Sequence, residues 1–272
     1  MGIYLNPGME LFAESLRSEI YVDKTGLIAC TNRVLGSRQK YVCVSRPRRF
    51  GKSMAAEMLA AYYGYGYDSG KMFQGLEIAK HPSFEEHRNQ YHVLFLNVQD
   101  FLSRAGNVRE TVSCLQEVVI WELRKEFSET ICEAERYLAS ALEEIFRETG
   151  RGFVIIIDEW DCIFRVGRGD IEAQTVYLDF LRALLKDKAY VKLAYMTGIL
   201  PIKKYGTHSA LNMFDEYSMM NPGMLAQYVG FTEAEVRQLC QKYDMDFSEA
   251  ERWYDGYQFR KITHVYSPKS MV

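Results

Sequence analysis

The chain has 272 residues, enough for one large α/β domain or a core with a small appendage, and its 48% hydrophobic and 25% charged content suits a globular protein with a substantial buried core. A net charge of −3 argues against a surface that coats nucleic acid, and six cysteines without a C-x-x-C pair read as reduced core thiols rather than a disulfide frame or a thiolate metal site. There is no basic head followed by an apolar run at the N-terminus and no apolar stretch of membrane-spanning length, so a soluble, cytoplasmic protein with no membrane partner is expected.

Met9 to Glu19 reads as a short amphipathic helix, and Tyr21-Val22-Asp23-Lys24-Thr25 leads into a second one ending near Gly36. Residues 1–60 carry nine Lys/Arg against five Asp/Glu, a modest basic excess that would serve a phosphate site or a plain solvated surface equally well. Tyr41 to Val44 is an apolar run of strand length, and Gly51-Lys52-Ser53 then opens a run of helix formers from Met54 to Ala61. Strand, loop and helix in that order form a phosphate cradle, because a helix N-terminus presents unpaired N–H groups and partial positive charge. The pattern matches a P-loop except at its first glycine, where Arg46 stands, followed by Pro47, which fixes φ and has no N–H. The amides of Arg49, Phe50, Gly51, Lys52, Ser53 and Met54 remain available to a nucleotide. Lys52 is placed for the β- and γ-phosphates and the Ser53 hydroxyl for magnesium. An ordinary strand-to-helix turn with a basic rim would share the same three residues. Tyr21, ahead of the first strand, can pack on a nucleotide base or simply seal the sheet edge.

The stretch Tyr62 to Gly70 interleaves tyrosines with glycines and reads as a helix end and turn with half-buried rings. His81, His87 and His92 follow at intervals that fit no zinc pattern. Val93 to Val98 supplies a second strand. Asn107 and Glu110 are spaced as a cap for a helix whose apolar positions include Val112, Leu115, Val119 and Leu123. A further helix is expected from Ile131 to Glu148, stopped by Gly150 and Gly152.

Phe153 to Ile157 is continuously apolar and β-branched, as a central parallel strand is, and ends in Asp158-Glu159. The C-terminal edge of an open α/β sheet is where ligands bind, so Asp158 is expected beside the loop as a magnesium ligand of the Walker B type, with Glu159 polarising the attacking water. After a helix from Glu172 to Lys186, Val191 to Gly198 gives a strand ending in Thr197, expected to bond the attacking water or γ-phosphate. Arg165, Arg168, Lys203 and Lys204 are candidate cations for transition-state charge, with no sequence ground for choosing among them. Thr232/Glu235 and Ser248/Glu251 are both capping-box spacings and bracket a small helical subdomain.

These features define an α/β fold: a P-loop NTPase whose mainly parallel sheet is flanked by helices, with a strand inserted between the two motif-bearing strands. Residues 1–210 are expected to form the core and residues 211–272 a helical lid. The motifs YVDKT (21–25), RPRRFGKS (46–53), IIDEWD (156–161), TGILPI (197–202) and WYDGYQF (253–259) together resemble those of the bacterial predicted AAA-ATPase-like proteins. The resemblance implies ATP and Mg2+ as cofactors, Lys52 and Ser53 as nucleotide and magnesium residues, Asp158 as the Walker B acid and Glu159 as the catalytic acid. It makes arginine at the first-glycine position a family trait. Relatives of this kind often continue into a PD-(D/E)XK nuclease-like domain, through which nucleic acid would become a partner. No such acid and lysine cluster occurs in these residues, so the chain reads as truncated before it. Three functions are then open: ATP hydrolysis coupled to lid movement, by a single chain or a homo-oligomer; a nucleotide-gated switch with little turnover that controls a nuclease-like domain or partner; and DNA binding in its own right, which net acidity disfavours.

Overall fold

The computed structural model describes residues 2–202, 211–253 and 265–268. Five strands, β1 (Tyr41–Ser45), β2 (His92–Asn97), β3 (Phe153–Asp158), β4 (Val191–Gly198) and β5 (Asp215–Tyr217), form one sheet in the order β2-β3-β4-β1-β5. Every pairing in it is parallel, and β4 lies between β1 and β3 as an inserted strand. Strand register carries chemistry to one edge: Asn97 pairs with Asp158, and Thr197 with Val44. All residues of β1 and β3 are buried, which explains why both read as unbroken apolar runs rather than alternating ones.

Helices cover both faces. In chain order they are α1 (Glu10–Leu16), α2 (Gly26–Val34), α3 (Lys52–Tyr63), the single turns α4 (Gly70–Phe73) and α5 (Phe84–His87), then α6 (Val98–Ala105), α7 (Thr111–Glu126), α8 (Leu138–Thr149), α9 (Cys162–Val166), α10 (Ile171–Leu185), α11 (Glu233–Lys242) and α12 (Phe247–Trp253). Because side chains alternate along a strand, Ile155 and Ile157 pack with Leu115, Leu142 and Leu181 on one face. Val154 and Ile156 pack with Ile28, Leu59 and Tyr63 on the other. Among the described residues no helix is long and apolar enough to cross a membrane.

Several local expectations are corrected. The helix expected from Ile131 starts only at Leu138, because the Arg124 guanidinium donates to the carbonyls of Cys132, Glu133 and Glu135 and holds that stretch as a loop. Asn107 accepts from the Glu110 amide at 3.0 Å, fixing the turn before α7 rather than capping its first residue. Tyr62 and Tyr63 are fully buried inside α3, where their hydroxyls bond Phe84 O and Asn32 Oδ1, both at 2.7 Å. Val98, expected to end the second strand, instead opens α6, which the Asn97 side chain caps. Ser248 lies inside α12 and its amide donates to Asp246 Oδ1 at 2.8 Å, so Asp246 occupies the capping role.

Beyond Leu211 the chain first adds β5 to the sheet edge. It then forms a small unit of α11, α12 and the antiparallel pair β6 (Phe231–Thr232) and β7 (Val265–Tyr266). The capping box at Thr232 and Glu235 is formed on both sides. Glu235 also receives the buried ammonium of Lys24 at 2.6 Å, and Lys24 donates to Gln227 O at 2.7 Å, so the YVDKT segment is tied to this unit.

His92, at the start of β2, is buried against Phe153 and Phe127, with ring centroids at 5.2 and 5.6 Å. Burial, helped by Arg151, lowers its pKa from 6.5 to about 4, so the native imidazole stays neutral where the unfolded one protonates. The unfolded chain therefore binds more protons between those values. Stability is complete above pH 6.5 and is lost as pH falls towards 4, by about 2 kcal/mol between pH 7 and 5. Urea unfolding of His92→Phe should show a correspondingly smaller loss over that interval than the parent; an equal loss would contradict the assignment.

Candidate active site

The loop from β1 to α3 is shaped by two left-handed residues, Arg49 (φ 71) and Gly51 (φ 80), the second at the helix N-cap. Arg46, at the position where a glycine is usual, is wholly buried beneath the loop. Its guanidinium donates to the carbonyl of Tyr217 in β5 at 3.2 Å, and burial lowers its pKa to about 10. Arginine thus joins the loop to the sheet edge through its side chain, while Arg48 and Arg49 are exposed. Lys52 is the first residue of α3 and is buried, with Nζ donating to Pro47 O at 2.9 Å across the mouth of the loop. Burial lowers its pKa, and Glu159, Asp158 and Asp161 act against that shift.

The parallel sheet then brings distant residues to the same place. Ser53 Oγ donates to Asp158 Oδ2 at 2.6 Å, although the two lie 105 residues apart. Thr197, buried at the end of β4, donates its hydroxyl to Asp158 Oδ1, which also accepts the Glu159 amide at 3.0 Å. Glu159 has φ 53, so the chain leaves β3 in a left-handed turn that a glutamate adopts only under constraint. Part of the constraint is Trp160, fully buried, whose amide donates to Thr197 O at 3.0 Å. A Cβ at Gly198 would stand 2.6 Å from its indole, which explains the glycine that ends β4.

Phe50 and Met54 point away from the loop's polar face. With Phe12, Tyr21 and Phe231 they border an apolar slit of about 10 Å³ beside Gly51. Ser53 and Asp158 themselves border a cavity of about 270 Å³, together with Glu57, Asn97 and Asp100. Burial, reinforced by Asp158 and Glu14, raises the Glu57 carboxyl to about 7. Glu57 was not distinguishable in the sequence from any solvated helical acid. Asp161 is the other residue sequence reasoning passed over. It is fully buried and accepts from the amides of Ile199 and Leu200 at 3.2 and 2.9 Å. The adjacent sequence signal was its place in DEWD, three residues past a strand end.

Of the four candidate cations, Arg165 enters the site and pairs with Glu159, while Arg168 is exposed. Lys203, Lys204 and residues 254–259 of the WYDGYQF motif lie outside the described residues. The donor set at Ser53 and Asp158 is a hydroxyl and a carboxylate, hard oxygen ligands that suit magnesium held jointly with water and phosphate. Among the described residues no group of three or more His, Cys, Asp or Glu side chains is arranged to hold a metal alone.

Residues 8–207 match the family model described as predicted AAA-ATPase, and the chain belongs to that AAA-ATPase-like family. A curated relative from Azotobacter chroococcum mcd 1, the "Uncharacterized protein in vnfD 5'region", is 26% identical over 281 residues. That alignment covers 97% of this chain and 50% of the relative, so the chain spans about half the relative's length.

Proposed function

We propose that the chain binds magnesium-ATP at the N-terminus of α3 and hydrolyses it. The observation that carries this reading is the 2.6 Å bond between Ser53 and Asp158, which joins the helix of a phosphate-type loop to an acidic strand end across the whole nucleotide half of the sheet. In this reading the amides from Arg49 to Met54 cradle the phosphates. Lys52 turns its ammonium from Pro47 O to the β- and γ-phosphates, and Ser53 and Asp158 are the residues that would hold Mg2+. Magnesium held there would supply positive charge to the phosphate oxygens. Thr197 holds Asp158 in the rotamer that faces Ser53, and Glu159 accepts a proton from the attacking water. The base lies in the apolar slit at Tyr21, Phe50 and Phe231, which widens as the small helical unit moves, so that this unit acts as a lid and Lys24 as its tether.

A second reading, a nucleotide-gated switch with slow turnover, is favoured by two contacts. Lys52 and Glu159 are both held by the chain's own groups, Pro47 O and Arg165. Through the lid, either activity would act on an attached domain, a second copy or a partner. Magnesium-dependent release of phosphate from ATP by the purified chain separates the two. Sustained release that ends on chelation supports hydrolysis, and binding without release supports the switch.

A further inference from the structure

Arg165 lies on α9, six residues beyond Glu159, and its guanidinium meets two carboxylates. One end donates to Glu159, and Nε stands 3.2 Å from Asp161 Oδ2. Asp161 is itself anchored by the amides of Ile199 and Leu200 at the end of β4, so Arg165 is held from behind by a buried acid. The Glu159 side chain is 24% exposed and that of Arg165 16%, so the pair is largely removed from water. Lys52, whose ammonium donates to Pro47 O at 2.9 Å, lies near enough to feel the charges of Glu159, Asp158, Asp161 and Arg165.

Arg165, Glu159 and Asp161 thus form one charged cluster directly after Asp158, where the nucleotide reading sets the terminal phosphate. We infer that Arg165 is a specificity-determining residue that gives the site its preference for nucleoside triphosphate over diphosphate, by neutralising the Glu159 carboxylate beside the γ-phosphate. This rests on the nucleotide reading above. A diphosphate ends deeper in the loop, against the amides of α3 and Lys52, where Glu159 weighs little. A triphosphate adds its charge next to Glu159. Without Arg165 that carboxylate repels it in surroundings where water screens poorly. Arginine suits the task because its rigid fork serves Glu159 and Asp161 at once.

The test is titration calorimetry with Mg-ADP and with the magnesium complex of the β,γ-imido analogue of ATP, which does not turn over. The parent, Arg165→Ala, Arg165→Lys and Arg165→Ala/Glu159→Gln are compared. Arg165→Ala is expected to weaken the triphosphate analogue about tenfold and ADP less than about twofold, as an uncompensated nearby charge requires. Arg165→Lys keeps most of the parent's ratio, and the double variant restores it, because the carboxylate that repels is gone. Equal weakening of both ligands, an unchanged ratio, or a double variant no better than the single would overturn the inference. Should thermal melts show that Arg165→Ala does not fold, Arg165→Gln replaces it, retaining the stem that packs beside Asp161. A parent that binds neither ligand removes the nucleotide reading together with this one; a parent that binds both while Arg165→Ala changes nothing removes this one alone.

Discussion

Replacing Glu159 by glutamine is expected to lower ATP turnover by about 10² to 10⁴-fold without weakening nucleotide binding. The substitution keeps the size of the side chain and its place after Asp158, and it removes the negative charge and with it the capacity to take a proton. Glutamine also releases Arg165 from its ion pair, which leaves one more positive charge facing the γ-phosphate. Steady-state phosphate release and calorimetric titration on the same preparation read the two effects separately. Turnover that survives the change would assign the proton to another group, with Glu57 and its cavity beside Asp158 the first to examine.

The second large effect concerns stability. Asp161→Ala is expected to destabilise the fold by about 3 kcal/mol, since removing one partner of a buried pair strands the other and leaves buried donors unpaired. Here the amides of Ile199 and Leu200 lose their acceptor, a single oxygen of a fully buried carboxylate, and the Nε end of Arg165 loses the charge 3.2 Å away while its other end keeps Glu159. The denaturation midpoint should fall while the slope with denaturant stays the same. A change below about 0.5 kcal/mol, the range usual for surface substitutions, would show that the two amides find other partners.

Much of this architecture is legible in the chain because strong local signals and tertiary demands agree. The β3 and β4 runs, Phe153–Asp158 and Val191–Gly198, are apolar, bounded by polar or glycine residues, and buried on both faces, so composition alone marks them. The parallel order with β4 inserted follows from the two motif-bearing strands and the polar residue each carries at its C-terminal end. Elsewhere one distant contact overrides the local pattern. The stretch from Ile131 has helical periodicity, yet Arg124 claims its carbonyls. Asp215–Tyr217 carries little strand character in its own residues and pairs because the buried guanidinium of Arg46 reaches the Tyr217 carbonyl next to β1.

The candidate site divides in the same way. Lys52, Ser53, Asp158 and Glu159 are visible from motif spacing, since the phosphate and magnesium chemistry proposed for them would constrain residue type and place in the chain. Arg165 is visible only as one of several basic residues, and Asp161 only as the last residue of IIDEWD, because what distinguishes them is whom they meet in space. Arg46 is the instructive intermediate. Its departure from glycine is plain in the sequence, whereas its reason, a buried bridge from the loop to the edge strand, is a property of the folded sheet.

The most direct test of the account is equilibrium binding of Mg-ATP to the parent chain and to Lys52→Ala, measured side by side with and without EDTA. The account predicts saturable binding that weakens on chelation and falls by about two orders of magnitude or more in the variant, which loses a charge-assisted contact to two phosphates. Equal binding by parent and variant, or none by either, would contradict it.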